Sequence, residues 1–175
     1  MKNHFEFYEI KERFFINEQQ LKQLYLKISK ENHPDFFIND KSRYDAAMDV
    51  ASQNNTAYKV LRSFDSRVYY ILKLNNLVQE QGSTLPSEFL IEMMDINEAI
   101  MDLKMDFDAT KLVALDMKVG TLADQCSAIL KDLAVQADDL HNTERLDVLK
   151  KIKEIYLKQK YVLRLKESLN TFAPQ

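Results

Sequence analysis

Apolar residues recur at threes and fours through most of this chain, and the places where that rhythm breaks divide it. Over residues 17–32, Leu21, Leu24, Tyr25 and Ile28 share one face of a helix for which Asn17 is a suitable N-cap. Lys22, Lys27 and Lys30 fall on the opposite, wet face. Pro34 has no N–H and biases His33 away from helical geometry, so this helix must stop near Asn32. A second helix starts after another cap, Asp40, with Tyr44, Ala47, Met48, Ala51, Asn55, Tyr58 and Leu61 as its buried edge. Two helices joined by a short connection, each apolar on one face, predict an antiparallel hairpin.

The rhythm stops in residues 75–86, NNLVQEQGSTLP, where Gly82, Ser83, Thr84 and Pro86 supply breakers. The expected domains are therefore 1–75 and 87–175, with 76–86 as a linker. Three further helices follow. The pattern over 110–140 is heptad-like: Leu112, Leu115, Val119, Leu122, Cys126, Ile129, Leu133, Ala137 and Leu140. Residues 143–170, capped by Asn142 or Thr143, bury Leu146, Leu149, Ile152, Ile155, Tyr156, Val162, Leu163 and Leu169. The helix over 87–106 is apolar on two sides. Phe89, Met93, Ile96, Ile100 and Leu103 form a narrow stripe, extended by Phe107, that docks it into a three-helix bundle. Leu90, Met94, Met101 and Met105 remain on the far side with Ile91 beside them, bordered by Asp95, Glu98 and Asp102. A surplus apolar face rich in methionine suits an adaptable binding surface.

The chain has 175 residues, with only two Gly and three Pro. That length and composition point to an all-α protein with a sizeable core. No apolar run is long enough to span a membrane, and MKNHFEFYEI resembles neither a signal nor a transit peptide, so a cytoplasmic address is expected. Residues 1–75 carry 12 Lys/Arg against 10 Asp/Glu, and residues 76–175 carry 12 against 17. This split suits two different partners, and the small basic excess argues against nucleic acid.

Catalytic and metal chemistry find no constellation. Cys126 is the only cysteine, at a position that reads as a small core residue. Neither glycine lies in a phosphate-binding motif. The carboxylates around residues 88–108 have no His partner, and His141 falls alone in a predicted turn. His33 and Asp35 have no Ser or Cys placed to use them. The expectation is a non-enzyme without cofactor or metal.

His33-Pro34-Asp35 alone is ordinary turn chemistry. Set between two paired helices, however, it resembles the J domain of DnaJ-type co-chaperones. The run Asn55-Thr56-Ala57-Tyr58-Lys59-Val60-Leu61-Arg62, then Arg67 and Tyr70-Ile71-Leu72, resembles the iron–sulfur co-chaperones of the HscB family. Phe5–Glu9 and Phe89–Asp102 extend the likeness over most of the chain. Two positions depart from the pattern: Phe36 follows the tripeptide where J domains usually carry Lys, and Phe64 stands where the family usually has Pro.

The resemblance implies an N-terminal J domain, a helical hairpin with short flanking helices, and a C-terminal three-helix bundle. It implies that His33, Pro34 and Asp35, with Lys22, Lys27 and Lys30, contact a DnaK/HscA-type chaperone and raise its ATPase activity. It further implies that Leu90, Ile91, Met94, Asp95, Glu98 and Asp102, joined by Tyr156 from the last helix, hold an IscU-like iron–sulfur scaffold protein. Two alternatives remain open: a general J-domain protein whose bundle holds another client or self-associates weakly, and a structural helical protein with an incidental turn.

Overall fold

A computed structural model of the chain describes residues 2–78 and 85–172. Gly82, Ser83 and Thr84, on which much of the linker expectation rests, lie outside the described residues. The chain forms two compact units, Met1–Asn76 and Leu77–Gln175. Every regular element among the described residues is helical.

The first unit has four α-helices: α1 (His4–Phe7), α2 (Glu18–Glu31), α3 (Lys41–Arg62) and α4 (Phe64–Leu74). A reciprocal cap starts α1, in which the Asn3 side chain accepts from the Glu6 N–H and the Glu6 carboxylate accepts from the Asn3 N–H. Asn17 starts α2 by accepting from the Gln20 N–H, and Asp40 starts α3 by accepting from that of Arg43, both as the sequence suggests. α2 and α3 pack together, with Leu21, Ala47, Ala57 and Leu61 buried. Between them Tyr25 and Tyr58 stack at 4.3 Å, and the Tyr25 hydroxyl donates to the Asn55 side chain at 3.0 Å.

The buried edge of α3 differs from the expected one. Met48 and Asn55 are exposed, whereas Asn54 and Ala57 are buried. Asn54 is buried because it is fully engaged. Its Nδ2 donates to the Tyr25 carbonyl (3.0 Å) and to the Ser29 hydroxyl (2.9 Å) of α2. Its Oδ1 accepts from the Tyr8 hydroxyl at 2.7 Å. Burial of that phenol pushes its pKa well above the ordinary tyrosine range, so it remains a donor.

The bend between α3 and α4 needs no proline. Ser63 adopts an extended conformation, ends α3 and caps α4 through its hydroxyl, which leaves Phe64 as the first helical residue. Proline is favoured at that position because the N–H there has no helical acceptor, and for the same reason Phe is tolerated. The Phe64 ring instead meets Phe15 at 5.4 Å. Arg67, one turn on, is buried. Its Nε donates to the Phe14 carbonyl at 2.7 Å and its guanidinium also reaches the Leu61 carbonyl, satisfying an acceptor that the end of α3 leaves open.

The second unit contains α5 (Ser87–Met105), α6 (Ala109–Asp139) and α7 (Asn142–Asn170). Phe89, Met93, Ile96, Ile100 and Leu103 of α5 are buried as the stripe predicts, against Leu115, Val119 and Ala123 of α6 and Val162, Leu165 and Leu169 of α7. Phe107 does not extend the stripe. Its backbone lies beyond the end of α5, and its exposed ring stacks loosely on Phe172.

α6 and α7 form a long hairpin whose seam is wider than the predicted heptad. Of the expected positions, Leu112, Leu115, Val119, Leu122, Cys126, Leu133, Ala137 and Leu140 are buried or half-buried, and Ala123, Leu130 and Ala134 are buried beside them. Ile129 is exposed, and Leu130 takes its place. On α7, Val148 and Leu165 are buried while Leu146 is exposed. Its N-cap is His141, which makes no side-chain cap, and Asn142 enters the helix at a φ of 52°, a conformation that Asn tolerates.

Replacement of Asn54 by Leu leaves the Tyr8 and Ser29 hydroxyls and a Tyr25 carbonyl lone pair without their partner. It is expected to lower unfolding free energy by about 2–3 kcal/mol, read as a lower urea midpoint at unchanged slope. A loss below about 0.5 kcal/mol, the range of ordinary surface substitutions, would show that these bonds do not hold the helices together.

Candidate functional site

The first candidate is the turn after α2. The helix ends at Asn32, whose backbone N–H and side-chain amide both donate to the Ile28 carbonyl at 3.0 Å. The tripeptide is more ordered than a plain loop: His33 caps a single 3-10 turn, Pro34–Phe37, which packs on α3. Proline occupies the first position of the turn, where no N–H is needed. The Phe36 N–H donates to the His33 carbonyl at 3.0 Å, and the Asp40 N–H donates to that of Phe37 at 2.9 Å.

His33 Nδ1 accepts from the Asp35 N–H at 3.3 Å, so in the neutral imidazole the proton sits on Nε2. The same Nδ1 lies 3.6 Å from Asp35 Oδ2, a contact that becomes attractive only when the ring is protonated. The side chains of His33 and Asp35 are 53% and 74% exposed. An imidazole and a carboxylate are thus displayed on a rigid support. No nucleophile or metal cluster accompanies them, and no group of three or more His, Cys, Asp or Glu among the described residues could hold a metal ion.

Lys22, Lys27 and Lys30 are exposed on α2, within an arc of about 140° at 100° per residue. Arg62 of α3 lines the same cleft as Lys22 and Tyr58, which adds a cation that the helix-by-helix pattern did not single out. Beside the tripeptide, Phe36 and Ile38 are exposed although both are large and apolar. Phe37, in contrast, carries the Arg43 guanidinium over its ring at 4.6 Å.

The second candidate is the outer face of α5. At about 100° per residue, Leu90, Met94, Met101 and Met105 lie within a 60° strip. Glu98, Ile91, Asp102 and Asp95 occupy the next 60°, and all eight are exposed. The face is therefore an apolar ridge flanked on one side by carboxylates. It is held in orientation from behind: Asn97 Nδ2 donates to the Tyr161 hydroxyl of α7 at 2.9 Å, and Phe89 meets the Tyr161 ring edge-on at 5.8 Å.

Tyr156 does not belong to this face. It is 6% exposed, with the Lys160 ammonium over its ring at 5.3 Å, so its aromatic surface is committed to the bundle. Cys126 is half-buried, and burial raises its thiol pKa against the opposing pull of Lys158.

Residues 85–170 match the family model described as the HSCB C-terminal oligomerisation domain. The chain is 31% identical over 159 residues to the co-chaperone protein HscB homolog of Vibrio campbellii, covering 86% of this chain and 92% of the relative. The chain belongs to the HscB co-chaperone family. The co-chaperone protein HscB of Proteus mirabilis is also 31% identical, over 153 residues covering 81% of this chain and 86% of that protein.

Among solved structures, human co-chaperone protein HscB covers 98% of this chain with 82% of its own length, at a TM-score of 0.67 and 23% identity, a likeness of fold. HscB from Vibrio cholerae aligns at a TM-score of 0.57 and 26% identity, covering 96% of this chain and 99% of its own. The all-α fold with a J-like N-terminal region and a C-terminal helical domain is thus that of HscB. The Vibrio campbellii and Proteus mirabilis relatives are both named as co-chaperones.

The two faces of α5 differ in what truncation should cost. Phe89→Ala with Met93→Ala removes core volume and is expected to destabilise the full chain by about 2–5 kcal/mol per site. Leu90→Ala with Met94→Ala, on the outer face, should cost less than about 1 kcal/mol in total. Thermal and urea melts of the two double mutants check this. Equal losses would mean that the outer face is also packed.

Proposed function

We propose that the chain is an adaptor with two binding sites. Its N-terminal unit acts as a J domain on a DnaK/HscA-type chaperone, and its C-terminal bundle carries an iron–sulfur scaffold protein to that chaperone. The observation that carries this reading is the His33-Pro34-Asp35 turn, ordered by backbone bonds and directed outward at the end of a lysine-bearing helix. His33 Nε2–H and the Asp35 carboxylate offer a donor and an acceptor to the junction between the ATPase domain and the substrate domain. Lys22, Lys27 and Lys30 face a complementary acidic surface, which sets encounter rate and register more than final affinity. Pre-ordering the turn lowers the entropy lost on contact.

The scaffold is assigned to the outer face of α5. Leu90 and Met94 supply apolar anchors, Ile91 widens them, and Asp95, Glu98 and Asp102 select a partner with basic groups beside an apolar patch. Methionine ridges adapt to a partner's surface at low cost. The chain supplies no metal ligands to a cluster in this scheme, so the cluster stays on the scaffold as cargo. On this proposal the protein works in the cytoplasm, with neither membrane nor nucleic acid as a partner. A second reading, self-association through the bundle, is favoured by the description of the family model as an oligomerisation domain. Sedimentation of the full chain in the micromolar range distinguishes the two, because a dimer formed through α5 would dissociate when scaffold is added.

The chaperone role is tested by single-turnover ATP hydrolysis. His33→Gln is expected to abolish stimulation while leaving the circular dichroism melt unchanged, since the side chain is largely exposed. A His33→Gln protein that stimulates like wild type would refute the J-domain role. Glu98→Lys, in contrast, should weaken scaffold binding at least about tenfold through inverted charge at the patch, without affecting chaperone stimulation.

A further inference from the structure

Phe36 and Phe37 are neighbours of identical chemistry, and the turn treats them oppositely. Phe37 is half-buried under Arg43, and its carbonyl accepts the Asp40 N–H. Phe36 is 68% exposed, with its ring centroid 5.7 Å from that of His33, and Ile38, two residues on, is 66% exposed. Single exposed apolar residues are common on protein surfaces. Here two of them closely follow the contact residues His33 and Asp35, on a turn fixed at both ends by backbone hydrogen bonds. An aromatic held in place before binding loses little entropy on contact and is the residue type that anchors interfaces.

This site rests on the co-chaperone reading above. From it we infer that Phe36, with Ile38, is a specificity element of the chaperone contact. The pair forms an apolar anchor that seats against an apolar patch bordering the surface that receives His33 and Asp35. The usual J-domain Lys at this position would ask for a carboxylate on the chaperone. Phe36 asks for the reverse, because its ring would desolvate a carboxylate without pairing it. The partner is therefore a DnaK-type chaperone with apolar rather than acidic groups at that place. The contact also loses one charge from its screened, long-range component.

The test titrates the full chain against a purified DnaK-type chaperone from the same cell, reading single-turnover ATP hydrolysis at low and high salt. Wild type, Phe36→Leu, Phe36→Ala, Phe36→Lys and His33→Gln are compared. Phe36→Ala and Phe36→Lys are expected to raise the half-maximal concentration about tenfold, the effect of losing most of one buried aromatic, with the plateau rate kept. Phe36→Leu should stay within about threefold, because it retains apolar area. Phe36→Lys should also make the titration more salt-dependent. Unchanged half-maximal concentrations for both the Ala and Lys variants, with His33→Gln inactive, would overturn the inference and leave the co-chaperone reading standing. Wild-type chain that fails to stimulate, or His33→Gln that stimulates normally, would overturn both. A fall in sedimentation mass for Phe36→Ala, with the titration unchanged, would mean that the pair covers a second copy of the chain, and the inference fails.

Discussion

One buried asparagine sets the geometry of the N-terminal unit. Asn54 donates to Tyr25 and Ser29 on α2 and accepts from Tyr8 beyond α1, so three segments distant in sequence meet at one amide. Apolar contacts between α2 and α3 are non-directional and would tolerate a slide of one helical turn, about 5.4 Å. The amide would not, because a slide would leave its donors and the Tyr8 hydroxyl unpaired in the interior. Ser29 lies just ahead of Asn32, where α2 ends. The bonds that fix helix register therefore also fix where His33, Pro34 and Asp35 emerge. Arg67 does the same for the far end of the hairpin by tying the Phe14 and Leu61 carbonyls together.

The C-terminal unit solves a different problem. α5 spends one stripe on the core and keeps another exposed, which is stable only because α6 and α7 already form a long hairpin on their own seam. The Asn97–Tyr161 bond and the Phe89–Tyr161 contact then fix the rotation of α5 about its axis. Burying the methionine ridge in place of the core stripe would take a rotation of about 130° at 100° per residue. The division between a stabilising face and a free face thus rests on the core stripe of α5, with Asn97, Phe89 and Tyr161 holding it against α7.

Much of this was legible in the pattern of the chain. The caps at Asn17 and Asp40, the stop at Asn32 and the α5 stripe follow from local chemistry that no tertiary partner overrides. Asn54 was missed because hydrophobic spacing gives no weight to a polar residue. Its burial depends on Tyr8, 46 residues away in sequence. Ala123, Leu130 and Ala134 lie beside the heptad positions of α6 and are buried because the face it presents is wider than a strict seam. Tyr156 was assigned to the outer face by resemblance alone, and the register of α7 turns it inward. The opposite fates of Phe36 and Phe37 depend on Arg43, reached only once the turn folds back on α3.

The central claim is that one chain couples a chaperone contact on its first unit to a client contact on its second. The most direct measurement is the steady-state ATPase rate of the chaperone with scaffold protein alone, with this chain alone, and with both. The account predicts that the two together exceed the sum of their separate effects, and that Leu90→Ala/Met94→Ala returns the rate to that sum while leaving the chain's own stimulation intact. A strictly additive rate with the wild-type chain would contradict it.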